Sequence, residues 1–143
     1  MIFQSRQDIV ILDGAVTNGE TVTGYVDGLD YDFLTMDVFL STADSVSNNP
    51  STLQLTEGDT TVVSNAATFG SFVGDTGFTI PACVTAGDWG VKFNVDLRAR
   101  KRYIFLTVTP LTTQVVAAVG NLTKGAESPR TTTKANVKAL VEG

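Results

Sequence analysis

The stretch WGVKFNVDL, residues 89–97, constrains the fold of this chain more than any other. Trp89, Val91, Phe93, Val95 and Leu97 share one parity, and Gly90, Lys92, Asn94, Asp96 and Arg98 share the other. Successive side chains of a strand point to opposite faces, so a fault-free period of two specifies an antiparallel strand with one face in a core.

The same reading extends along the chain. IVIL, 9–12, is a short apolar strand closed by Asp13-Gly14, and Asn18-Gly19 is a tight-turn signal before ETVTGYV, 20–26. DFLTMDVFLST, 32–42, sets Leu34, Met36, Val38 and Leu40 toward a core, with a mixed opposite face of Phe33, Thr35, Asp37 and Phe39. ADSVSNNPS, 43–51, is a polar loop. TLQLTEG, 52–58, places Leu53 and Leu55 inward, and TTVVS, 60–64, is its expected hairpin partner across Gly58-Asp59. Residues 66–78 carry three glycines and read as a loop. RKRYIFLTVT, 100–109, is apolar on both faces, which suits a central strand, and Pro110 stops it because proline cannot donate to a ladder. TTQVVAAVG, 112–120, reads as the last strand.

About eight short strands with no helix between them predict an all-β chain. The expected architecture is a two-sheet antiparallel sandwich of jelly-roll or Greek-key type over residues 1–120. Residues 121–143 read as a polar C-terminal arm in which 134–141 form one or two helical turns. The chain's 143 residues suit one domain.

Composition narrows the chemistry. Histidine is absent and Cys83 is the single cysteine. This removes Ser–His and Cys–His nucleophile pairs, nearly all zinc sites and any internal disulfide, and Cys83 reads as a small buried filler. Carboxylate chemistry survives that test. DGLDYDF brings Asp27, Asp30 and Asp32 within six residues, but the spacing does not fit a calcium loop of the EF-hand kind, and a solvated turn is the expectation. Asn121-Leu122-Thr123 matches a glycosylation sequon and reads as chance. The N-terminus lacks the pattern of a signal peptide, and no apolar run approaches the ~20 residues that span a bilayer. A soluble chain with no catalytic residue, cofactor, metal or membrane partner is expected.

Charge is divided. Residues 1–91 hold twelve acids and one base, whereas 92–143 hold nine bases and three acids. Arg98, Arg100, Lys101 and Arg102 crowd the start of one strand, and Arg130, Lys134 and Lys138 follow in the arm. A protein partner suits these residues, because the planar arginine fork pairs with carboxylates and carbonyls. The acidic remainder repels phosphate, so nucleic acid is not expected. Pairing with the chain's own acids is the alternative.

From about Val26 to Pro129 the chain resembles a group of small bacteriophage virion proteins. The resemblance rests on YVDGLDYDFLTMDVFLS, on LQLTEGDTT, and on KRYIFLTVTP with TQVVAAVGNLTKGAESP. Residues 64–90 match poorly and 130–143 lie past the matched region. The resemblance implies a capsid decoration (cement) protein, made in the host cytoplasm and seated on the capsid exterior. It further implies a homo-oligomer, with a trimer favoured, that bridges subunits of the major capsid protein and has no catalytic residues. In that setting the seven basic residues would be interface residues. Two alternatives belong to other classes. One is a carbohydrate- or receptor-binding module of a phage tail, which requires Tyr25, Tyr31, Phe69, Phe72 and Trp89 to gather on an open face. The other is a calcium-dependent β-sandwich enzyme.

Overall fold

The computed structural model describes residues 6–41, 49–69, 90–124 and 139–142. Among the described residues nine strands are formed: β1 (Arg6–Val16), β2 (Val22–Asp27), β3 (Phe33–Leu40), β4 (Thr52–Gly58), β5 (Ala67–Thr68), β6 (Gly90–Asp96), β7 (Tyr103–Thr109), β8 (Gln114–Thr123) and β9 (Ala139–Glu142). They make one sheet in the order β1-β8-β3-β6-β9 and a second in the order β2-β7-β4-β5.

The pairing identifies the topology. β1 pairs with β8, β2 with β7, β3 with β6 and β4 with β5, all antiparallel. A chain folded back on itself and then rolled gives this nested pattern, so the expected two-sheet sandwich is an eight-stranded jelly roll. β9 is an addition: it lies parallel to β6, with Phe93 opposite Val141 in register.

The core follows the parities in the sequence. Leu34, Met36, Val38 and Leu40 of β3 are buried, as are Val91, Phe93 and Val95 of β6, Leu97 just beyond it, and Leu53 and Leu55 of β4. Ile104, Leu106 and Val108 of β7 meet Val116, Ala118 and Leu122 of β8 in the same cluster. Each fully buried side chain of this size contributes roughly 1.5–3 kcal/mol of transfer free energy. β7 is central in its sheet and ends at Thr109, before Pro110, as expected.

Several expectations are corrected. Asp13-Gly14 does not close the first strand. β1 runs on to Val16 because a bulge between Val10 and Leu12 takes up the irregularity and bends the edge. At that bend Ile11 meets Gly24 of β2, where a Cβ would lie 2.4 Å from the Ile11 carbonyl oxygen. Glycine is required there because the two sheets close on each other. The partner of β4 is Ala67–Thr68 rather than 60–64, since 63–65 turn as a 3-10 helix. β8 continues to Thr123, past the expected start of the arm at 121. Ala139, Leu140 and Val141 belong to strand β9 instead of helical turns, because the open edge of β6 supplies backbone partners that a short isolated helix would lack. Finally, Lys92 and Asn94 on the non-core parity of β6 are buried, 7% and 5% exposed, where alternation predicted a solvated face.

Candidate functional site: the basic corner

β6 ends at Asp96, whose carboxylate accepts a hydrogen bond from the Arg98 N–H and so caps the short 3-10 turn 97–99. The Leu97 N–H donates to the Asp32 carbonyl and the Gly28 N–H donates to the Arg102 carbonyl, at 2.8 Å each. The connection from β6 to β7 is therefore tied to the connection from β2 to β3. Asp30, in the latter, adopts φ 69°, a left-handed conformation that Asp tolerates better than most residues. This corner carries Arg98, Arg100, Lys101 and Arg102.

All four cations have a carboxylate of their own chain. Arg102 grips Asp27 with two bonds, Nε to Oδ1 at 2.9 Å and Nη2 to Oδ2 at 2.7 Å. Arg98 grips Asp96 likewise, at 2.9 and 2.5 Å. Lys101 Nζ lies 3.0 Å from Asp59 Oδ2 and Arg100 Nη1 lies 3.8 Å from Glu57 Oε1. Glu57 also accepts the Lys101 N–H at 3.0 Å. Each arginine covers a ring as well: Arg98 lies over Phe33, Arg100 over Phe69 at 4.3 Å, and Arg102 over Tyr103.

Burial separates the four. The Arg100 and Glu57 side chains are 16% and 15% exposed, so that pair is part of the structure. The Arg98, Lys101 and Arg102 side chains are between 42% and 62% exposed. Their pairs contribute roughly 0–1 kcal/mol by the general behaviour of exposed ion pairs, and an outside carboxylate could replace the internal one. The guanidinium of Arg102 holds the Asp27 carboxyl below its ordinary range, and that of Arg98 does the same for Asp96.

The divided charge thus has an internal use. Asp27, Asp37, Glu57 and Asp59 come from the acidic part of the chain, and their partners Arg102, Lys92, Arg100 and Lys101 from the basic part. Each link joins neighbouring strands or their ends. Sequence reasoning missed Lys92–Asp37, a pair at 2.5 Å that holds the most enclosed cation of the four. Both residues lie on the non-core parity of their strands, and the register that sets them opposite one another depends on distant turns.

Arg130, Lys134 and Lys138 lie outside the described residues, as do Cys83, Phe72 and Trp89. Of the other aromatics named for a sugar platform, Tyr25 is exposed, Tyr31 donates from its hydroxyl to Gln7, and Phe69 is buried under Arg100. Tyr25 instead stands edge-on to Tyr103, with Phe105 beside it. Asp27, Asp30 and Asp32 do not converge, and among the described residues no three acidic or sulfur side chains are placed to hold a metal. Asn121 of the sequon donates to Asp8. Among the described residues no helix is long and apolar enough to cross a membrane. No protein-family model matches the chain, and no curated protein matches it.

Proposed function

We propose that this chain is a non-enzymatic structural protein of a phage particle, a decoration protein that stabilises the head by bridging subunits of the major capsid protein. The observation that supports this most is the corner just described. It is an end of a jelly roll tied by backbone hydrogen bonds and internally charge-matched, where three exposed cations can exchange their own carboxylates for those of a neighbour at little cost. Jelly rolls occur in viral capsid and lectin domains alike, so the fold is compatible with the reading without selecting it. The resemblance of residues 26–129 to small virion proteins supplies the selection.

In this reading Arg98, Lys101 and Arg102 make the shell contacts together with Arg130, Lys134 and Lys138, and Arg100 positions the corner. The test is reconstitution. Purified protein is added to particles lacking it, and co-sedimentation and heat-induced genome release are followed. Saturable binding that delays release is expected. Absence of binding, with folded protein confirmed by circular dichroism, would overturn the proposal.

A further inference from the structure

The outer face of the five-stranded sheet is inverted relative to what water selects. On its β3–β6 side, Lys92 and Asn94 are buried. On its β1–β8 side, Val10 is 66% exposed, Val115 44% and Val119 39%, and Phe39 of β3 is 44% exposed. Register makes these neighbours: Val10 lies opposite Val119, Ala15 opposite Val115, and Ala117 opposite both Asp13 and Phe39. The four exposed side chains present on the order of 300 Å² of apolar surface, comparable to the largest patch on a typical monomer, which is often functional.

The charges at the ends of this patch are opposite. Arg6, opposite Thr123, sits at one end, and Asp13, opposite Ala117, sits toward the other. Both side chains are on the outer face with Val10 between them. Arg6 has only an exposed pair with Asp8, and Asp13 has no ion pair among the described residues. We infer that this face packs against the same face of a second copy about a two-fold axis lying between the sheets and perpendicular to the strands. That operation lays β1 over the partner's β1 in the reverse direction. It buries Val10 and Val119 near the centre and brings Arg6 of each copy to Asp13 of the other. An isologous contact of this kind closes on itself, and aligned sheets pack in this way within proteins. The middle of the β1 edge is approached by β2 at Gly24, which favours the face over the edge as the contact.

The patch is smaller than the ~800 Å² per partner of a standard stable interface, so the dimer is concentration-dependent. The contact concerns copies of this chain and stands apart from attachment to a shell. Sedimentation velocity over a concentration series is the test. The weight-average mass is expected to rise from 15.1 kDa toward twice that value. The double substitution Val10→Asp with Val119→Asp should hold it at the monomer mass, while circular dichroism and melting stay as in the parent. Asp13→Arg should weaken association, and adding Arg6→Asp should restore it. A mass that never rises, association as a trimer, or association unaffected by the valine substitutions would overturn the inference. Particle binding by a variant held monomeric would leave the decoration reading standing, so the two claims fail separately.

Discussion

Lys92 and Asp37 face each other across β3 and β6, and the pair can be taken apart one side at a time. The Lys92 side chain is 9% exposed and that of Asp37 is 28% exposed. Asp37→Val leaves an enclosed ammonium with no carboxylate. Breaking a buried pair in this way costs about 3–5 kcal/mol. Lys92→Met leaves the carboxylate that retains more water, so a smaller loss of about 1–2 kcal/mol is expected. The double variant should recover to within about 1 kcal/mol of the parent, because neither charge is then stranded. Urea unfolding at neutral pH measures all four chains of the cycle, and each kcal/mol should move the melting temperature by roughly 3 °C at this size. Equal losses for the two single variants, or a double variant worse than either, would refute the reasoning that stranded charge sets the cost.

Arg100→Glu should destabilise the fold by about 2–4 kcal/mol in the same assay, since it sets a second acid beside Glu57 and removes the cation over Phe69. Glutamate at the exposed Arg98 or Arg102 should leave the melting temperature nearly unchanged and reduce particle binding in co-sedimentation. Gly24→Ala should cost about 1–3 kcal/mol by urea unfolding, because the new methyl meets the Ile11 carbonyl and the two sheet edges must part. Asp27 and Asp96 have folded pKa values below the ordinary 3.8, so the unfolded chain takes up protons first on acidification. Their stabilisation is present above about pH 4 and is lost as pH falls through the lower folded values; urea midpoints across that range should fall less steeply in an Arg98→Gln, Arg102→Gln variant. Ending the chain at Lys124 removes β9 and bares the edge of β6, so lower stability and light scattering from edge-to-edge association are expected.

Much of the fold could be read from residue alternation. Leu34 to Leu40 and Val91 to Leu97 announce their core faces because each period is short and unbroken, and Pro110 marks a boundary by chemistry alone. The register between strands is not a local property, and the features that depend on it were hidden. No local signal separates the solvated Lys92 that alternation predicts from the buried partner of Asp37, and the bulge at Ile11 is visible only once β8 lies alongside. β9 was hidden for the opposite reason. Four residues have too weak a preference of their own, and the edge of β6 decides their conformation. At the corner, the cluster of cations was plain in the sequence, whereas its neutralisation required knowing that Asp27, Glu57 and Asp59 lie at or just past the ends of the strands flanking β7.

The proposed role for this charge-matched jelly roll is to hold its neighbours together on a phage head. Cryo-electron microscopy of purified particles, with mass spectrometry of the same preparation, tests it most directly. The chain is expected in stoichiometric amount, with density for the sandwich on the shell exterior and the 97–102 corner against a capsid subunit. A particle without the chain, or one that carries it with this corner facing solvent, would contradict it.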